Sequence, residues 1–260
     1  MLSCFGSVIE QDKYFELEKF VKESFPSYDI FTAFSSRMVI RLLEKEGKVY
    51  KNLPQTLADV DMLGYKNIVV SSINLFPTDE HEFSKNIVDG FASFSLANFR
   101  FTNAILTKTK ESSLFLKSLD EKISKDDCAN LYIIHGTPKL DTKGIDSISY
   151  ADRFLSRINK NNYTCSLEGA FPFYAIKDAL KAELKKDGVK KIQVVPMLLV
   201  SGNHYKKDMH EICEELSDLF ETSIVPTITK DKKFNLIEMD GIRKIIKDEI
   251  SESITKLGTI

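Results

Sequence analysis

"KKIQVVPMLLV", residues 190–200, decides the fold. After the two lysines the run is apolar apart from Gln193, without the strict alternation of a half-wet strand. A strand with one wet face alternates; a strand covered on both faces does not. The run is β-branched-rich and far shorter than the roughly 18 residues a membrane span requires. It therefore reads as a central strand of a parallel sheet with helices on either side. Just before it, "YAIKDALKAELKKDG" (174–188) places Ile176, Leu180 and Leu184 on one helical stripe and ends at Gly188, a suitable C-cap.

The same alternation extends outward. "YDIFTAF" (28–34), "KNIVVSSI" (66–73), "NLYIIH" (130–135) and "YTCSLEG" (163–169) read as strands. "QDKYFELEKFVKESF" (11–25) reads as an amphipathic helix with Phe15, Phe20 and Val21 on its apolar side. Strands alternating with helices imply βαβ units and mostly parallel sheets, an α/β class of Rossmann-like or flavodoxin-like type. The polar helical stretch "TKTKESSLFLKSLDEKISKDD" (107–127) marks a junction. Two domains are expected, residues 1–125 and 126–260, with the C-terminal helix able to pack back on the first.

Composition narrows the function. The 260 residues carry a formal net charge of -2, with no clustered basic excess of the kind a nucleic-acid partner requires. No apolar run is long enough for a membrane span, and "MLSCFGSVIE" lacks the plan of a secretory signal. Cys4, Cys128, Cys165 and Cys213 are widely spaced, with no CxxC pair. Reduced thiols in a cytoplasmic protein are the expectation. Oligomeric state is open.

The chain also repeats itself. "GYKNIVVSSINLFPTDEHEF" from Gly64 resembles "GVKKIQVVPMLLVSGNHYKK" from Gly188. "YDIFTAFSSRMVIRLL" from Tyr28 lines up with "YTCSLEGAFPFYAIKDAL" from Tyr163, and "CFGS" (4–7) with "IHGT" (134–137). Three matches in one order suggest two copies of one α/β unit. A cleft between such units, lined by loops at strand ends, is where open α/β sheets bind ligands.

Three polar residues fall at the carboxyl ends of predicted strands in the second copy: His135 after "LYII", Glu168 after "YTCSL" and His204 after "VVPMLLVSGN". Parallel strands all end on one side of a sheet, so these residues can converge there. A single histidine at a strand end is more often a hydrogen-bonded loop residue, and a single glutamate before glycine is usually a solvated turn. Coincidence of all three at one edge is what points to chemistry. Two imidazoles and a carboxylate suit a divalent first-row metal, or proton transfer near neutral pH. Shifting His204 back by the repeat offset lands on Glu80, flanked by Asp79 and His81; His81 reads equally well as solvated surface. The same repeat pairs His135 with Phe5 and Glu168 with Ala33, so the first copy keeps no matching set.

In this order, "HGT", "EGAFP" and "LLVSGNHYKKDM" resemble the motifs of the class II tetrapyrrole chelatases, nearest to the sirohydrochlorin cobaltochelatases of the anaerobic cobalamin route. "FPSYDIFTAFSSRMVIRLL" and "DGVKKIQVVPMLLVSG" extend the likeness over nearly the whole chain. The resemblance implies the chelatase fold of two similar domains with a tetrapyrrole cleft between them. It implies ATP-independent insertion of Co2+ into sirohydrochlorin or precorrin-2, with no nucleotide. By residue match, His135, Glu168 and His204 take the family's metal positions. His135 and His204 also take catalytic positions, and Glu80 the acidic position of the first domain. Fe2+ or Ni2+ insertion, or tetrapyrrole or metal binding without turnover, are the alternatives. Asn74 stands where the family often has a histidine, so no haem is expected. Only Met1–Phe5 precede Gly6, so the first strand is short or its start incomplete. A substrate rich in carboxylates needs cations and donors at the rim: Arg37, Lys139, Tyr205, Lys206 and Lys207 are candidates, and Phe171, Phe173 and Tyr205 offer flat apolar contacts.

Overall fold

The computed structural model describes residues 1–202, 207–228 and 233–258. By its internal contacts the chain divides into two units. One is Met1–Thr107 with the segment from Asp240 onward; the other is Lys108–Met239.

The first unit holds β1 (Leu2–Cys4), α1 (Gln11–Ser24), β2 (Thr32–Phe34), α2 (Arg37–Lys45), α3 (Leu53–Met62), β3 (Asn67–Ile73), α4 (Asp79–Ala92) and β4 (Asn98–Phe101). Its four strands are parallel, in the order β2-β1-β3-β4. Local sequence explains the boundaries. Asn52 and Gln55 form a reciprocal capping box at the start of α3, and the Ser36 side chain accepts the Val39 amide at the start of α2. Gly64, with φ of 76°, turns the chain out of α3 and into β3. Ala33, Leu53, Leu57, Val60, Ile68 and Val70 pack one core of this unit.

The second unit begins with α5 (Thr109–Ile123), followed by β5 (Ala129–Gly136), α6 (Ile145–Ile158), β6 (Asn162–Glu168), α7 (Phe173–Lys186), β7 (Lys191–Met197), α8 (Asp208–Leu216) and β8 (Glu221–Ile224). Its sheet is also parallel, in the order β6-β5-β7-β8, so the two units share one topology. Ile192, Val194, Val195 and Met197 of the stretch quoted first are buried, as a strand covered on both faces requires. Leu131, Ile133, Leu180, Leu184, Met209 and Leu216 belong to the core on one side of this sheet.

Three differences from the sequence reading have physical causes. The boundary between units falls ahead of α5, not after it. The charges of α5 cover its outer face, while Phe115, Leu116, Leu119 and Ile123 are buried. Asp120, also buried, accepts hydrogen bonds from Tyr132 Oη (2.9 Å) and Asn162 Nδ2 (2.8 Å), which tie the helix to β5 and β6. The last helix, α9 (Asp240–Leu257), packs on β3, β4 and α1 of the first unit. In α1 the buried stripe is Tyr14, Leu17 and Val21, whereas Phe15 is exposed and Phe20 lies under the Arg243 guanidinium. The edge strands β4 and β8 escaped notice because each is four residues long and alternates between exposed and half-buried positions. None of the described helices is long and apolar enough to cross a membrane.

Candidate functional site

The carboxyl edge of the second sheet is built by two strand ends that interlock. β5 and β6 pair in register from Asn130↔Asn162 to Gly136↔Glu168. Gly136 has φ of 79°, and a Cβ placed on it would stand 1.9 Å from the Glu168 carbonyl oxygen. Gly169 has φ of 78°, and a Cβ there would stand 2.0 Å from the Thr137 carbonyl oxygen. Both glycines are thus required by left-handed backbone and by close approach of main chain to main chain. The "HG" and "EG" dipeptides are the sequence trace of this contact. It fixes the backbone that carries His135 and Glu168 on neighbouring strands.

His135 is half-buried, and its Nδ1 lies 3.3 Å from the Gly136 carbonyl oxygen. A ring that donates from Nδ1 there would, when neutral, carry no proton on Nε2, the form in which imidazole binds a metal ion. Glu168 is exposed. A groove of about 520 Å³ opens beside it, with Phe173, Tyr174 and Lys177 of α7 on one side and Lys207, Asp208 and Glu211 near the start of α8 on the other. Phe171, 65% exposed, holds φ of 57° in the turn after Glu168, an uncommon conformation for a bulky residue. The turn is clipped by Ser166, whose amide donates to the Phe171 carbonyl (3.1 Å) and whose hydroxyl donates to the Ala170 carbonyl (2.7 Å). Phe173 is buried in the core.

His204, Tyr205 and Lys206 lie outside the described residues. Among the described residues no three histidine, cysteine or acidic side chains stand close enough to hold a metal ion. The thiols are poor candidates, because only thiolates are good ligands. Burial pushes Cys165 up to about 12 and Cys213 up to about 11.

On the first sheet, Glu80 is the second residue of α4 and half-buried. Ser35, just past β2, directs its hydroxyl at Glu80 Oε2 at 3.4 Å. Burial raises the Glu80 carboxyl above its ordinary value; the Ser35 contact opposes this, and Asp79 adds to it. His81 is buried, not on the surface: its Nδ1 is 2.7 Å from Ser72 Oγ. Arg37 is exposed at the first position of α2, and Lys139 is exposed in the loop after β5. The contributions that the sequence alone missed are those of Ser35 and Ser72. The doubled serine of "FSSR" and the run "VVSSI" mark them only once strand ends are known.

Sheet register also tests the repeat. Cys4 pairs with Phe34 and Ile73; its counterpart Ile134 pairs with Ser166 and Met197. Glu168, two residues past Ser166, therefore corresponds to Ser36, two past Phe34, and not to Ala33. Ungapped alignment of "YDIFTAF" with "YTCSLEG" slipped because the lead-in to β2 is not strand. The offset linking Ile73 to Met197 does carry Glu80 onto His204 by numbering. Five residues (74–78) separate β3 from α4, however, and ten (198–207) separate β7 from α8. The correspondence holds along the strand; His204 itself lies outside the described residues.

The fold is that of the chelatases. SirB from Bacillus subtilis with Fe3+ superposes with a TM-score of 0.66 at 14% identity, covering 97% of this chain and 93% of that one. CbiX, the terminal enzyme of sirohaem biosynthesis in denitrifying bacteria, gives 0.59 at 12% identity, over 96% and 97% of the two chains. Sequence carries the assignment further. The cobalt chelatase (CbiK) family matches residues 1–254, and the chain belongs to that family. A sirohydrochlorin cobaltochelatase from Salmonella typhimurium is 24% identical over 200 residues, spanning 74% of this chain and 71% of that protein.

Proposed function

We propose that this chelatase inserts Co2+ into sirohydrochlorin without ATP, with His135, Glu168 and His204 as the transient metal ligands and Glu80 as a proton acceptor. The observation that supports the reading is the interlocked pair of strand ends, whose backbones carry His135 and Glu168 at one edge of the sheet, in a chain of the cobalt chelatase family. The relative from Salmonella supports sirohydrochlorin as the macrocycle. A solved sirohydrochlorin chelatase, SirB from Bacillus subtilis subspecies spizizenii, is in complex with cobalt.

Insertion exchanges two pyrrole N–H protons for one dication. The metal must be held loosely enough to leave, and two imidazoles with one carboxylate do that better than a thiolate cage. Both imidazoles must be neutral to bind it, so the rate falls below about pH 6. Two protons must be accepted. A carboxyl raised by burial takes a proton more readily near neutral pH than an ordinary glutamate does, which suits Glu80 to the task. Arg37, Lys139 and Lys206 supply cations for the substrate's carboxylates, Tyr205 a hydroxyl donor, and Phe171 an exposed ring for the macrocycle face.

The test is an anaerobic absorbance assay with sirohydrochlorin, Co2+ and protein far below stoichiometry. Turnover is expected to continue well past one equivalent, and His135→Ala to slow it by more than about 100-fold. A change that stops at one equivalent means binding alone, and an unaffected His135→Ala removes the ligand assignment. Parallel runs with Fe2+ and Ni2+ decide the metal, which the ligand set alone does not.

A further inference from the structure

The α4 helix begins without the usual anchor. Its N-cap is Thr78, and the Thr78 side chain makes no capping hydrogen bond. Three residues later His81 turns inward instead. Its Nδ1 lies 2.7 Å from the hydroxyl of Ser72, near the end of β3, and its ring packs against Phe101 with centroids 5.1 Å apart. Ser72 is itself fixed. Its amide donates to Thr102 Oγ1 (2.9 Å), and its hydroxyl oxygen accepts from Asn74 Nδ2 (3.0 Å). Asn74 in turn accepts the Ile105 amide on its carbonyl (2.9 Å). The Ser72 hydroxyl and His81 Nδ1 share this hydrogen bond, the ring tautomer setting which of the two donates. Ser72 and His81 are both more than nine-tenths buried, so the bond is shielded from competing water. Glu80 precedes His81 directly and is half-buried.

We propose that Ser72 and His81 are positioning residues for insertion: their hydrogen bond pins the first turn of α4 to the end of β3 and thereby sets where the Glu80 carboxyl stands. The inference rests on the reading of Glu80 as a proton acceptor. It assigns no contact with metal or macrocycle to either residue. Small displacements of a reacting group are costly: an ångström can lower a rate by up to about 100-fold. A loss of about tenfold in kcat is therefore expected for Ser72→Ala and for His81→Phe, which keeps the ring but not its nitrogens. KM for Co2+ and for sirohydrochlorin should stay within about twofold. Ser72→Thr, which retains the hydroxyl, should recover most of the rate. In a Glu80→Gln background neither change should slow the enzyme further, because the group they position is already gone.

Circular dichroism and the thermal midpoint confirm that the variants fold, and Ser72→Thr separates loss of the hydroxyl from general damage. If Glu80→Gln is slow while Ser72→Ala and His81→Phe run at the wild-type kcat, the positioning role is wrong and the reading of Glu80 stands. If the tenfold losses persist undiminished in the Glu80→Gln background, the pair acts on something other than Glu80 and the proposal is overturned. If Glu80→Gln itself turns over normally, the proton-acceptor reading fails and the pair's role falls with it.

Discussion

The two units share a strand order, and both begin the turn after their first strand with a left-handed glycine, yet they use that turn differently. In the second unit Gly136 lies against the Glu168 backbone, and the residues at the joined tips are a histidine and a glutamate. In the first, Gly6 (φ 95°) lies against the Phe34 side chain, and the corresponding tips carry Phe5 and Ser36. Its acidic group sits instead in the first turn of α4. Repetition thus supplies the edge, and individual residues decide what the edge does. A tip built backbone to backbone gives little, which suits any site whose geometry must be held.

The sharpest test of that contrast is a single methyl group added to each turn. Gly136→Ala must move main chain, since the nearest atom is a carbonyl oxygen at 1.9 Å. A loss on the order of 4 kcal/mol or more is expected. Gly6→Ala meets ring carbons of Phe34 at 3.0 Å, which a small shift relieves. There the left-handed conformation accounts for most of the effect, about 1–2 kcal/mol. Urea unfolding of the two variants measures the difference. Equal losses would mean that the second turn is no tighter than the first and that the interlocked edge is not special.

The helices that complete the units differ as well. α5 enters the second unit from its own N-terminal side, whereas α9 reaches the first from the other end of the chain. Each is held by one buried acid. Asp120 accepts from Ser124, Tyr132 and Asn162, and Glu249 accepts from the amide and the side chain of Asn103 at 3.2 and 3.1 Å. Asp120→Ala leaves buried donors on two strands unsatisfied and is expected to cost about 3 kcal/mol. Glu249→Ala strips a site at the unit's edge and is expected to cost about 2 kcal/mol. Amide hydrogen exchange adds location: Glu249→Ala should deprotect α9 and leave α5 unchanged. Deprotection of both helices would show that the units do not unfold separately.

Much of this was legible in the sequence because it follows from composition along short runs. The doubly apolar stretch at 190–200 reads as an interior strand, and β3, β5, β6 and β7 were legible to within about three residues. The short edge strands β4 and β8 were not, since "NFRF" and "ETSI" bury little and leave no continuous apolar signature. His135 and Glu168 were legible as strand-end residues followed by glycine. Their interlock was not, because it depends on register, and register follows from pairing partners distant in the chain. The equation of Glu168 with Ala33 failed for the same reason. His81 shows the opposite limit: a histidine among acids in a polar stretch reads as surface, and only the fold reveals that Ser72 waits beneath it.

The finest test bears on Glu80, the acid in the first turn of α4. Burial and Asp79 hold its carboxyl above the ordinary value, and the Ser35 hydroxyl draws it part of the way back. Ser35→Ala removes the lowering influence, so the carboxyl rises further. A base must be ionised to accept a proton, and the acid limb of kcat that reports Glu80 should therefore move to higher pH. The sign for stability follows from the same shift. A carboxyl raised in the folded protein favours folding while it is protonated, and that advantage is lost as pH climbs from the unfolded value through the folded one. Ser35→Ala should extend the loss to higher pH. A variant whose acid limb moves down, or whose profile is unchanged while Glu80→Gln is slow, would mean that the Ser35 contact does not govern the charge on Glu80.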